Sequence, residues 1–181
     1  MELMMKKGLV YSLLLSLSLV TLGAQAQNLF DNSEANKDRQ LKSRDHIWKL
    51  EYDNTVTNGL HALKRQEYER AFNLLSEAAN WGSKEAQFYV SQMYFNGWHV
   101  EPDYQIGWLW MSVALEQRNA EWATAYNRVK NALPEEFIEA MKPLVAEHIA
   151  EYGADAKDLN CRHRAQTGSN IRQTICEKQF Y

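Results

Sequence analysis

The sequence predicts an all-α chain, a short right-handed stack of antiparallel helix pairs that ends in a disulfide-closed C-terminal loop or hairpin. Three observations predict it. Apolar residues recur at helical spacing through the middle of the chain, that pattern repeats after a fixed interval, and both cysteines lie near the end.

The start of the chain has Lys6 and Lys7, an apolar run over residues 8–22, and Ala24-Gln25-Ala26 as a small-residue cleavage site. This is the pattern of a secretory signal peptide over residues 1–26. The apolar run falls short of the roughly 20 residues that span a bilayer as a helix, so cleavage after Ala26 is expected to leave no stable membrane anchor. A periplasmic or secreted location follows. Residues 27–44 are polar without an apolar period and read as a flexible lead-in to a helical domain over residues 45–153. Composition is that of an ordinary globular protein, 45% hydrophobic and 24% charged with three prolines. The whole chain carries a net charge of −3, which becomes −4 without Glu2, Lys6 and Lys7. An acidic chain of this kind has no electrostatic footprint for nucleic acid.

The first helix pair is marked by Val56, Leu60 and Leu63, then by Ala71, Leu74, Leu75, Ala78 and Ala79, with a turn near Arg65-Gln66. The pattern recurs 36 residues on: Tyr68 maps to Tyr104, Phe72 to Trp108, Leu74 to Trp110, Leu75 to Met111, Ala78 to Ala114 and Ala86 to Trp122. That period lies near the roughly 34 residues of tetratricopeptide units. Small residues at Ala71, Ala78, Gly107 and Ala114 mark where helices approach closely. In Asn96-Gly97-Trp98-His99-Val100-Glu101-Pro102-Asp103, Gly97 suits a helix end, Pro102 cannot continue a helix, and Asp103 suits the next helix start.

Ala86, Val90, Met93-Tyr94, Gly97, Val100, Asp103, Trp110 and Ala114 together resemble the signature of the Sel-one-like repeat branch of the tetratricopeptide superfamily. The resemblance runs from about Leu60 to about Val129. It departs from the usual pattern at Ser91, His99, Gly107, Leu115 and Arg118, where the family usually shows Gly, Gly, Ala, Ala and Gly. It implies stacked helix hairpins and a protein-binding, non-catalytic role.

Further on, Pro134-Glu135-Glu136 reads as a helix start, with proline in the first turn and acids at the positive end of the dipole. Phe137, Met141, Leu144 and Ile149 continue the apolar period, Pro143 is expected to kink or divide the helix, and Gly153 to end it. The tail, residues 154–181, is basic from Asn160 on through Arg162, Arg164, Arg172 and Lys178 against Glu177. In an exported chain a Cys161–Cys176 disulfide is the leading reading, with Thr167-Gly168-Ser169-Asn170 as the turn between. A metal site on Cys161, His163 and Cys176 is the rival, and it is one ligand short of a structural zinc site. The tail's arrangement is similar to that of small exported bacterial proteins.

No catalytic constellation stands out. There is no nucleophile-elbow pattern, and His46, His61, His99, His148 and His163 lack paired metal-ligand spacing. Neither a cofactor nor a metal is expected. Partner binding is assigned to Trp81 and Trp98 in turns, to Phe72 and Trp108 along the repeat, and to Arg162 and Arg164 in the basic tail. For the repeat-borne rings, packing between hairpins is the competing reading. The expected partner is an envelope protein or peptide. Two other functions compete: a small cell-wall hydrolase using Glu101 and Asp103, and a module that works through its basic loop.

Overall fold

The computed structural model describes residues 47–165 and 172–180, and its helices and strands belong to the unit Trp48–Tyr181. The expected signal peptide, the lead-in and the turn at Thr167-Gly168-Ser169-Asn170 lie outside the described residues.

Among the described residues six helices and one hairpin follow in order: α1 (Lys49–Lys64), α2 (Tyr68–Asn80), α3 (Lys84–Asn96), α4 (Tyr104–Ala114), α5 (Ala120–Ala132), α6 (Glu135–Tyr152), β1 (Leu159–Ala165) and β2 (Arg172–Lys178). Local chemistry sets most boundaries. The Ser83 hydroxyl accepts from Ala86 N–H at the start of α3, Asp103 accepts from Gln105 and Ile106 N–H at the start of α4, and Asn119 does the same for α5. Gly97 closes α3 at φ 67°, a left-handed conformation that glycine adopts without a Cβ penalty, and Trp98 N–H then reaches back to the Met93 carbonyl.

Packing follows the repeat. α1 packs on α2, α2 on α3, α3 on α4 and α4 on α6. Ala62, Ala71, Leu75, Ala78, Ala79, Ala86, Val90 and Met93 form one core cluster, where the alanines let the backbones close up; Phe88, Met111, Ala114 and Trp122 form a second. Gly107 is buried, and a Cβ there would lie 2.6 Å from the Phe95 ring, which explains glycine where the repeat pattern usually has alanine. The pairing of Ala86 with Trp122 along the repeat matters for shape. A buried alanine in α3 admits its neighbours closely, whereas at the equivalent place in α5 the indole of Trp122 stacks on Phe88 at 4.9 Å, so α5 meets the stack through rings rather than backbone.

Two expectations at α6 change. Pro134 is the residue before the first helical turn rather than within it, and Pro143 does not divide the helix. Pro143 is exposed, so water can serve the carbonyl its missing N–H leaves free. Among the described residues no helix is long and apolar enough to cross a membrane.

A half-buried histidine belongs to the α4–α6 contact. His148 meets the Trp110 ring edge-on at 4.6 Å and lies 4.6 Å from Tyr152, and its Nε2 is buried with no hydrogen-bond partner. Burial lowers its pKa from 6.5, with Glu151 pulling the other way. A histidine pKa depressed by folding contributes stability that is complete above the unfolded value and is lost as pH falls through 6.5 towards the folded value. His148→Phe is therefore expected to flatten the fall in stability between about pH 7 and pH 5, read from urea midpoints at each pH. An unchanged slope would place the titration elsewhere.

Candidate functional site

Rings gather where α2, α3 and the α3–α4 loop meet. Tyr68, at the first turn of α2, stacks on Trp98 at 5.5 Å and 14°; one turn later Phe72 meets Tyr94 edge-on at 5.6 Å and lies 5.8 Å from His99. Tyr68, Phe72, Tyr94 and Trp98 are half-buried and His99 is exposed, so the patch has one face in the core and one towards water. The loop that carries Trp98 and His99 is held at both ends, by Trp98 N–H on the Met93 carbonyl and by Asp103 N–H on the Tyr94 carbonyl, each about 3 Å. His99 sits at φ 73°, a left-handed conformation that a side chain other than glycine adopts at a cost of roughly 1 kcal/mol. That strain explains why the repeat pattern usually places glycine here. In the sequence His99 has no metal-ligand spacing to mark it, and its one signal is the departure from glycine. Beside the patch, Tyr68 also lines an open cleft of about 630 Å³ with Asn58, Glu67, Arg70 and Asn73.

The remaining expected partner residues lie elsewhere. Trp81 follows α2, half-buried and 6.4 Å from Tyr52, which in turn meets Phe180 edge-on at 5.5 Å. Burial pushes the Tyr52 hydroxyl up to about 12, against a hydrogen bond with Ser83 that lowers it. Trp81 thus ties the end of α2 to α1, and Tyr52 in turn carries the contact to Phe180. Trp108 is buried, 3% exposed, and stacks on Tyr126 at 5.0 Å. Its ring is committed to packing, as is Trp110, and what it offers a ligand is an edge in a groove of about 610 Å³ that Tyr126, Leu133, Ile138 and Val145 also line. The structure therefore brings together Phe72 and Trp98 and separates both from Trp81 and Trp108.

Arg162 and Arg164 are exposed on β1. The two strands pair antiparallel with Cys161 opposite Cys176, and those residues form the disulfide. The rival metal reading fails on this bond, because disulfide sulfurs are not the thiolates a zinc site needs. His163 instead has Nδ1 at 3.1 Å from the Thr174 hydroxyl. The hairpin docks on the connection between α4 and α5: Arg118 N–H donates to the Thr174 carbonyl, and Cys176 N–H donates to Gln117 Oε1, both at 3.1 Å.

Glu101 is exposed, and the Asp103 carboxylate accepts two backbone N–H bonds at 2.8 and 2.9 Å as a helix cap. Neither geometry is that of an opposed acid and base.

No family model matches the chain, and no curated protein matches it. Among solved structures, a protective antigen present in uropathogenic Escherichia coli strains, displaying an SLR fold, matches with a TM-score of 0.50 at 22% identity. The match covers 65% of this chain and 27% of that one, so this chain spans about a quarter of its length. Together with the 36-residue helix-pair repeat and its alanine-lined seams, that likeness establishes that the chain has the SLR fold, the fold of Sel-one-like repeats.

Proposed function

We propose that this protein is an exported, non-catalytic interaction module that binds a protein or peptide partner in the cell envelope through the Tyr68–Phe72–Tyr94–Trp98 patch. The single observation that carries the reading is the stacked Tyr68–Trp98 pair beside a left-handed His99, both rings half open to water and Trp98 on a loop fixed at both ends. Rigid, half-exposed aromatic rings are what binding hot spots are made of, and backbone strain persists where surrounding structure enforces it. The disulfide supports an oxidising compartment, as expected of a secreted or periplasmic chain. The helical-repeat fold supports binding rather than chemistry, by analogy of fold.

The test is affinity capture from envelope extract with residues 27–181 and with the Trp98→Ala variant. Captured partner is expected to fall at least tenfold with Trp98→Ala, while the circular dichroism melt keeps its cooperativity. Undiminished capture, or loss of capture together with loss of folding, would overturn the assignment to this patch.

A further inference from the structure

Among the described residues the outer edge of β1 is unpaired, and the hairpin's docking contacts say which groups it presents. Cys176 N–H goes to Gln117 and the Thr174 carbonyl accepts from Arg118, so neither group faces β1. The pairs Cys161↔Cys176 and His163↔Thr174 are therefore non-hydrogen-bonded pairs of the ladder. It follows that the N–H and C=O groups of Cys161 and His163 point away from β2, and among the described residues no other backbone meets them. All four residues Cys161, Arg162, His163 and Arg164 are exposed.

From this edge we infer that β1 takes up an extended acidic peptide segment as a third strand. Main-chain bonds to Cys161 and His163 would supply affinity, and the side chains alternating with them would supply selection. Arg162 and Arg164, two residues apart, stand on one face of the strand. Arg164 meets Glu177 at 3.3 Å across the exposed surface, and Arg162 has a hydrogen bond to Asn160 at 3.3 Å but no carboxylate partner among the described residues. Carboxylates two residues apart on the incoming strand would lie opposite these two guanidiniums. A second copy of this chain fits poorly, because antiparallel pairing of β1 with itself about His163 sets Arg162 opposite Arg164, and like charges directly opposite destabilise a ladder. The disulfide and the contacts to Gln117 and Arg118 hold the edge in strand geometry beforehand, which removes part of the ordering cost of binding. The inference rests on the reading of the chain as a binding module and names the chemistry of a partner for a different surface.

The probe is an acetylated, amidated heptapeptide of alternating valine and glutamate, titrated into residues 27–181 while amide exchange is followed. Binding is expected to protect the Cys161 and His163 amides about tenfold, and to weaken at least tenfold at high salt or with glutamine in place of glutamate. His163→Pro removes an outward N–H without touching the β1–β2 ladder, and a loss of about tenfold in affinity is expected. Should that variant misfold, R162E/R164E on the exposed face serves instead, with the same expected loss. No binding, protection confined to helix amides, unaltered affinity in the variants, or protection of the same amides by concentration-dependent dimerisation would overturn the inference. Envelope capture by the same variants separates the two readings. Capture lost with Trp98→Ala but kept with R162E/R164E, alongside a peptide that does not bind, would remove the strand-addition inference and leave the aromatic patch standing.

Discussion

Replacing Lys84 by alanine is expected to cost about 3 kcal/mol of stability, the low end of the range for breaking a buried ion pair by removing one partner, because the Glu116 side chain left behind is 26% open to water. Lys84 is buried at the start of α3, yet its ammonium lies 2.7 Å from Glu116 Oε2, 3.0 Å from Gln87 Oε1 and 3.5 Å from the Tyr152 carbonyl. The fully buried Gln87 donates from Nε2 to the Ala79 and Tyr152 carbonyls, each at 3.0 Å, and Glu116 Oε2 accepts from Ala154 N–H at 2.8 Å. One polar cluster thus joins the ends of α2, α4 and α6 to the start of α3. Burial lowers the Lys84 pKa, and the hydrogen bond and charge of Glu116 oppose that shift. Lys84→Ala leaves Glu116 without its cation and the Gln87 and Tyr152 oxygens short of a donor. Urea unfolding of Lys84→Ala, Glu116→Ala and the double variant should show strong coupling, because the second removal takes away a group already stranded by the first. A loss under about 1 kcal/mol for Lys84→Ala would mean that water replaces the ammonium at little cost.

The second large effect is expected at Trp122. Its indole is 5% exposed and stacks on Phe88 at 9° between planes. Trp122→Ala removes the ring that fills the space between α3 and α5, and large aromatic truncations in a core cost about 3–5 kcal/mol. The repeat adds a sharper consequence. Alanine is the residue at the equivalent Ala86, so Trp122→Ala gives α5 the small residue that its counterpart in α3 already has. If α5 then settles inwards, part of the loss returns and the Trp108–Tyr126 groove narrows, which a change in tryptophan fluorescence would report alongside the urea midpoint. Stability within about 1 kcal/mol of the parent would show that α5 is held by something other than this ring.

What sequence reading reached, and what it missed, divides by the range of the interactions. Gly97 and Asp103 were legible because a helix end is a contest within a few residues: a left-handed glycine at one side, a side-chain oxygen over two free N–H groups at the other. The pairing of Cys161 with Cys176 was legible from there being two cysteines in a chain whose start has the pattern of a secretory signal. Gln87 and Lys84 were not legible. In a polar stretch at a helix start they look like solvated residues, and only the ends of helices distant in sequence give them partners. The same holds for Trp81, whose neighbours Tyr52 and, beyond it, Phe180 come from opposite ends of the unit. Of the ring patch, Phe72 and Trp98 could be named as candidates but not joined, because Tyr68 and Tyr94 supply the contacts that make one surface of them.

The sequence by itself determined the helix-pair architecture, the seams where alanines admit close backbones, and the bridge that closes the tail. Periodicity, capping and residue size act locally and repeat, so one chain of letters suffices to read them. Only the tertiary structure decided which rings face water, that α5 stands off on Trp122, that a buried lysine clamps the helix ends, and that β1 keeps an edge unpaired among the described residues. Each depends on which distant groups meet, and burial and hydrogen bonding are set by those meetings rather than by residue type.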